Sequence, residues 1–273
     1  MKREKFISRL FELNKKTVIL TGAAGRIGSH FSHVLSGAGA NVVLVDIDKD
    51  KNKELEKIIS KKYGTSPTSF ASDITKKHEV EQLVRSVLNK YRKIDVLINN
   101  AHFVPRKHPK RDAPFEQYPL DLWNKTLETN LTAIVLLSQE VGKVMIKQEK
   151  GVIVNISSIY GMVGPDQRIY GKSRLNSPVS YASTKGGVIS LTRYMAAYWH
   201  QKNIRVNTLT LGGALDPKLH VNKKFVENYS QRTMIGRMAR NDEYNGALLF
   251  LVSDASSYMT GANLVVDGGW TAW

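Results

Sequence analysis

The chain has 273 residues, a length at which one α/β domain with a large buried core is ordinary, and its 42% hydrophobic and 23% charged residues exclude a disordered, collagen-like or disulfide-stapled mini-protein. With no cysteine there is no disulfide, thiolate nucleophile or cysteine-ligated zinc. The 40 Lys and Arg against 24 Asp and Glu leave +16, a balance that suits nucleic acid, an anionic membrane, an acidic substrate or simply a basic soluble surface, so placement along the chain has to decide.

Residues 1–16, MKREKFISRLFELNKK, space Phe6, Leu10 and Leu13 as one face of a short amphipathic helix. Arg9 and Glu12 interrupt the apolar residues, so this N-terminal extension is expected to pack on the body rather than to cross a membrane or serve as a secretory signal. A cytoplasmic location is the default expectation. The rest, 17–273, reads as a single domain. Short β-branched runs bounded by turn residues occur at 17–21, 41–46, 94–99, 151–157, 204–209 and 263–268, with a weaker one at 67–72. Helix-length amphipathic stretches fall between them at 26–37, 50–63, 75–91, 120–148, 180–201 and 240–253. Such alternation predicts a doubly wound, Rossmann-type parallel sheet of about seven strands with helices on both faces. Two long irregular stretches, 102–119 and 159–179, follow strand ends on the edge where open α/β sheets bind ligands.

Around the first strand the chain reads TVILTGAAGRIGSHFSHVLSGAGANVVLVD, a strand, a glycine turn, a helix and a second strand. Gly22, Gly25 and Gly28, with Arg26 and Ile27 between them, let the backbone turn tightly and approach a pyrophosphate at the helix N-terminus. Asp46 ends the second strand, where a carboxylate accepts hydrogen bonds from an adenosine ribose and repels a 2′-phosphate, which favours NAD over NADP. Arg26 in the turn could approach the same phosphate and soften that preference. Further along, Tyr181 and Lys185 in YASTK stand four apart and share a helix face. A tyrosine needs a nearby cation to act as acid or base near neutrality, and Lys185 supplies one. No metal-ligand pattern is present: His102 and His108 share a proline-rich loop without partnering carboxylates.

These motifs together resemble the short-chain dehydrogenase/reductase family from Thr17 to Gly269. Thr21-Gly22 to Ile27-Gly28 follows its TGxxxGIG turn, with Arg26 where the middle glycine is usual. Ser72-Asp73-Ile74 resembles the adenine-contacting segment, and Asn99-Asn100-Ala101-His102 resembles NNAG with histidine for glycine. Leu211-Gly212 stands for the usual Pro-Gly, and TGANLVVDGG matches the last strand. The resemblance implies a catalytic set of Ser158, Tyr181 and Lys185, with Asn130 completing a proton relay and Ser157 as backup to Ser158. It implies cofactor contacts from Gly22, Gly25, Arg26, Ile27, Gly28, Asp46, Asp73, Ile74, Asn100, Ala101, Tyr181, Lys185 and Gly212. The stretch between Ser158 and Tyr181 is longer than the family's usual spacing and should bulge over the cleft.

The expected function is hydride transfer between nicotinamide and a secondary alcohol or ketone. The loop containing IYGMVGPDQRIYG is similar to the branch found in bacterial surface-glycan and flagellin-modification pathways, which implies a sugar or nucleotide-linked sugar. Arg106, Lys107, Lys110 and Arg111 in one loop, and Arg168, Lys172 and Arg174 in the other, would then grip a phosphate. One alternative is a 3-oxoacyl carrier-protein reductase docking an acidic carrier on the basic surface. Another is a redox-sensing or nucleic-acid-binding protein without catalysis on the same fold. A homo-oligomer, dimer or tetramer, is expected through helices 120–148 and 180–201, where Ala182, Ser183, Gly186 and Gly187 permit close approach. Neither nucleic acid nor membrane is an expected partner of the enzyme.

Overall fold

In the computed structural model, which describes residues 3–105, 108–173, 175–217 and 220–273, seven parallel strands form one sheet. They are β1 (Thr17–Thr21), β2 (Asn41–Asp46), β3 (Thr68–Ala71), β4 (Val96–Asn99), β5 (Gly151–Ser158), β6 (Ile204–Leu211) and β7 (Asn263–Val266), in the order β3-β2-β1-β4-β5-β6-β7. After α1 (Arg3–Phe11), the helices linking the strands are α2 (Arg26–Gly37), α3 (Lys49–Tyr63), α4 (Lys77–Tyr91), α5 (Leu120–Leu127), α6 (Ala133–Gln148), α7 (Val179–Tyr198), α8 (Lys223–Gln231) and α9 (Asn245–Val252). The strand order reverses between β1 and β4, which opens a crevice at their carboxyl ends.

Alternate strand residues feed two cores. Val18, Leu20, Val42, Leu44, Ile98 and Val154 pack with Phe31 and Leu35 of α2, Leu55 and Ile59 of α3, and Leu248 and Leu251 of α9. Ile19, Val43, Val45, Leu97 and Ile153 pack on the other face with Val80 and Val84 of α4, Leu137 and Val141 of α6, and Met195 of α7. Burial on both faces is why the strands read as unbroken apolar runs rather than alternating ones. Leu13 is fully buried in the first core, and its amide donates to the Ala38 carbonyl at 2.8 Å, which anchors the chain before β1. Phe6 has no described side chain.

Several elements differ from expectation. The span 120–148 divides into α5 and α6 around a π-helical turn, Glu128–Thr132, centred on the buried Asn130. The last predicted helix begins only at Asn245, because 240–244 form turns. The nine-residue α8 was not anticipated: Phe225, Val226 and Tyr229 give it a narrow apolar stripe too short to read as periodicity. The stretch 159–179 holds two short 3₁₀ turns, Ile159–Gly161 and Gln167–Tyr170.

Candidate active site

Two adjoining cavities occupy the crevice. The outer one, about 620 Å³, lies over the glycine turn and is lined by Asp46, Asp73, Ile74, Asn100 and Ala101 as well as Gly22, Gly25 and Gly28. The inner one, about 230 Å³, is lined by Ser158, Tyr181, Lys185 and Gly212. Arg26, Ile27, Asn100 and His102 border both, so they form one connected cleft.

The turn is built by close approach. Gly22 has φ +63°, and a Cβ there would lie 2.8 Å from Ala101 Cα; one on Gly28 would lie 2.0 Å from the Gly22 carbonyl oxygen. Thr21 Oγ1 accepts from the amides of Asn100 and Ala101 at 3.1 Å each, while Asn100 Nδ2 donates to the Thr21 and Gly22 carbonyls, locking the turn to the end of β4. α2 starts at this turn with no side-chain cap and no acidic residue in its first turn. Its N-terminal amides and dipole are therefore offered to an anion. Asp46 is held at the rim: Oδ2 accepts from the Ala24 amide at 2.9 Å and Oδ1 from Asp48 at 3.0 Å. Asp73 Oδ1 is likewise oriented by the Thr75 amide and hydroxyl. A cradle without side chains, a helix N-terminus and a rim carboxylate fit a dinucleotide.

Arg26 Nη1 donates to the Ala214 carbonyl at 2.8 Å, and its guanidinium stands 4.0 Å from Asp216, at the junction of the two cavities. Lys125 is the other cation among the described residues lining the outer cavity, and it pairs with Glu128 at 3.0 Å.

The inner cavity brings Ser158, Tyr181 and Lys185 together. Lys185 is buried, donates to the Ile156 carbonyl at 2.8 Å and lies 5.7 Å from the centre of the Tyr181 ring; burial pushes its ammonium pKa down to about 8. Ser157 is turned to a structural use, donating to the Lys185 carbonyl at 2.9 Å. Both serines line the cavity, but Ser157 gives its hydroxyl hydrogen to the Lys185 carbonyl whereas Ser158 Oγ accepts from the Tyr160 amide at 3.3 Å, which favours Ser158. A Cβ on Gly161 would meet the Lys185 carbonyl oxygen at 2.5 Å, so the chain after β5 is pressed onto α7 beside the pair. Beneath it, Asn99 donates to Asn155, Asn155 to Thr192, and Thr208 to Thr192, each at 2.8 Å. This buried network fastens α7 to β4, β5 and β6.

The Asn130 side chain is held to the chain after β4: Oδ1 accepts from the Phe103 amide at 2.6 Å and Nδ2 donates to the Phe103 carbonyl at 3.1 Å. The described basic residues of the long loops, expected to grip a phosphate, line neither cavity. Arg168 is 81% exposed and doubly bonded to Asp166, which also pairs with Arg232; Arg111 pairs with Asp112, and Lys110 and Lys172 lie outside the walls. Arg106, Lys107 and Arg174 lie outside the described residues. The inner wall is instead aromatic, with Tyr160, Tyr170, Phe225, Tyr229 and His220, none of which the motifs singled out. The doubled IYG of the long loop and the apolar stripe of 225–229 were the available signals, and neither by itself indicates a ligand.

A family model described as "Enoyl-(Acyl carrier protein) reductase" matches residues 22–271. The chain is 33% identical over 267 residues to an NAD-dependent glycerol dehydrogenase of Listeria innocua, covering 96% of each, and 31% identical to a post-translational flagellin modification protein A of Campylobacter coli, covering 94% of this chain and 99% of that one. It is also similar to the crystal structure of a gluconate 5-dehydrogenase from Burkholderia cenocepacia in complex with NADP and tartrate, with a TM-score of 0.87, 28% identity, and 98% and 99% of the two chains covered. With the glycine cradle, the Tyr181–Lys185 pair and relatives matched end to end, the chain belongs to the short-chain dehydrogenase/reductase family and is an oxidoreductase of alcohols and ketones.

Proposed function

We propose that this protein is an NAD-dependent dehydrogenase/reductase of a small polyhydroxylated substrate, a polyol or its keto-sugar counterpart. The observation that carries it is Ser158, Tyr181 and Lys185 converging in a 230 Å³ cavity that opens directly onto the dinucleotide cleft. When bound, the nicotinamide supplies or accepts the hydride. Tyr181 Oη removes the carbinol proton in oxidation and returns it in reduction, Ser158 Oγ hydrogen-bonds the reacting oxygen, and the Lys185 ammonium favours the tyrosinate. Lys185 would also hold the nicotinamide ribose, while Gly22, Gly25, Ile27, Gly28, Asp73, Ile74, Asn100, Ala101 and Gly212 would hold the remainder of the cofactor.

Size bears on the substrate class: an inner cavity of about 230 Å³ suits a three- to six-carbon polyol. The glycerol and gluconate dehydrogenases among the relatives support this reading, and the flagellin-modification relative keeps a sugar within it. NAD is favoured because the adenosine end carries Asp46 and Asp73, while Lys51, a cation near Asp46, is paired with Asp48. The test is turnover on glycerol, tetritols, aldonates, nucleotide sugars and a 3-oxoacyl thioester, each with NAD(H) and NADP(H). Preference for the thioester would establish a 3-oxoacyl carrier-protein reductase instead, and equal kcat/KM with both cofactors would refute the NAD assignment.

Among the described residues no helix is long and apolar enough to cross a membrane. We place the enzyme in the cytoplasm as a homo-oligomer. The glycines expected at the interface are used internally, since Gly187 faces Leu131 and Gly186 faces the Gly161 carbonyl. The exposed pair Tyr194 and Tyr198, stacked with ring centres 6.0 Å apart on α7, is the better contact surface.

A further inference from the structure

The long stretch between Ser158 and Tyr181 is docked on α8. Asp166, which holds Arg168 at 2.8 Å, also reaches Arg232 at the end of α8 at 3.3 Å. Asn228 Nδ2 of α8 donates to the Ile169 carbonyl at 3.1 Å. The Phe225 ring stacks on Tyr170, with centres 5.4 Å apart and planes at 17°. One turn further along α8, Tyr229 stacks on Trp270 at 4.3 Å, and Ile159, Ile169 and Met238 complete a small apolar cluster distinct from the two that flank the sheet. The polar links and the rings divide the work. Asp166, Arg168, Asn228 and Arg232 lie outside the wall of the inner cavity, whereas Tyr170, Phe225 and Tyr229 line it beside Ser158 and Tyr181. The Tyr229 hydroxyl accepts from the Gly213 amide at 2.5 Å, so that ring also supports the backbone after β6. Tyr170 and Phe225 are thus the two rings that join the loop to α8 across the cavity wall, and polar contacts on either side keep their stack closed.

We propose that Tyr170 and Phe225 are specificity-determining residues, whose stacked rings limit the size of the group carried next to the reacting carbon. This rests on the reading of the substrate as small and says which part of the site keeps it so. A methylene too many in an apolar pocket costs roughly 10- to 200-fold in kcat/KM, so a closed aromatic wall is enough to separate short substrates from long ones.

The test uses the full chain, NAD and two homologous series: 2-alkanols from 2-butanol to 2-octanol, and glycerol with its 1-O-methyl, 1-O-butyl and 1-O-hexyl ethers. In whichever series the wild type turns over, kcat/KM is expected to fall steeply with chain length. Tyr170→Ala and Phe225→Ala should raise the long-to-short ratio of kcat/KM at least about tenfold, mainly through KM, with the NAD dissociation constant within about twofold. Tyr170→Phe, which keeps the ring and removes only the hydroxyl, should retain the wild-type ratio. Leucine at either position keeps the apolar cluster filled and should still raise the ratio if an alanine variant fails to fold. Equal losses at every chain length would mark a purely structural role and overturn the assignment. A ratio changed as much by Tyr170→Phe as by Tyr170→Ala would overturn it too, because the hydroxyl and not the ring would then decide. A wild-type preference for short chains that survives in the alanine and leucine variants would overturn it alone, whereas a wild type that accepts long members as well as short, or turns over neither series, would overturn it together with the small-substrate reading.

Discussion

At Lys185 the fold places an ammonium where burial opposes its charge, and its pKa falls to about 8. Because the folded value lies below that of the unfolded chain, the associated stability is full above about pH 10.4 and is lost as pH falls through about 8. At pH 7 the charged form therefore costs on the order of 3 kcal/mol. Lys185→Met should be inactive yet more resistant to denaturant at pH 7, with the advantage narrowing between pH 8 and 10.5; a pH-independent difference would count against the buried-charge account. The same titration should shape catalysis. kcat/KM for oxidation is expected to decline above about pH 8, and Lys185→Arg should shift that limb beyond the accessible range. For Tyr181→Phe, loss of the proton-transfer group should lower kcat by about 100-fold or more with NAD affinity nearly unchanged. Retention of a tenth of the wild-type rate would remove Tyr181 from its role. Both residues were legible in the sequence because their relation is local: four positions on a helix place them on one face wherever the helix goes.

Elements were legible where periodicity is long and continuous, as in α4 and α7, and illegible where tertiary packing writes the pattern. Asn130 looked like a polar residue in a long helix, and only the π-helical turn around it and the Phe103 clamp show that its amide serves the chain after β4. The contact between the turn at Ile159–Gly161 and α7 is equally non-local. A methyl group on Gly161 would collide with the Lys185 carbonyl, a backbone atom that cannot swing away. Gly161→Ala is therefore expected to cost at least about 1 kcal/mol in chemical denaturation and to lower kcat disproportionately, by shifting α7 beneath Tyr181. Wild-type stability and turnover in that variant would show that the contact is loose.

For the whole molecule, net charge proved a poor guide to the site. Cations of the long loops such as Arg168 and Arg111 are paired with carboxylates, while the inner cavity is walled by aromatic rings beside Arg26 and Lys185. Arg168→Ala should accordingly leave kcat/KM within about twofold, since an exposed ion pair contributes little. Assembly belongs to this scale as well. If α7 pairs with its counterpart through Tyr194 and Tyr198, replacing both with glutamate should convert the oligomer to monomer in sedimentation velocity at micromolar concentration. A wild-type monomer would dismiss the interface.

Sequence by itself determined the doubly wound sheet, the glycine turn with Asp46, and the Tyr181–Lys185 pair. Each depends on backbone geometry within a few residues or one strand–helix unit, and apolar runs buried on both sheet faces leave an unambiguous record. Only the tertiary structure decided where Arg26 reaches, that Ser157 donates to the Lys185 carbonyl, that Arg168 is spent on Asp166, and that His220 and Phe225 meet Tyr170 across some fifty residues of chain. Those outcomes depend on which distant side chains arrive at the same place, a matter of long-range packing and local charge pairing that no short window of sequence contains.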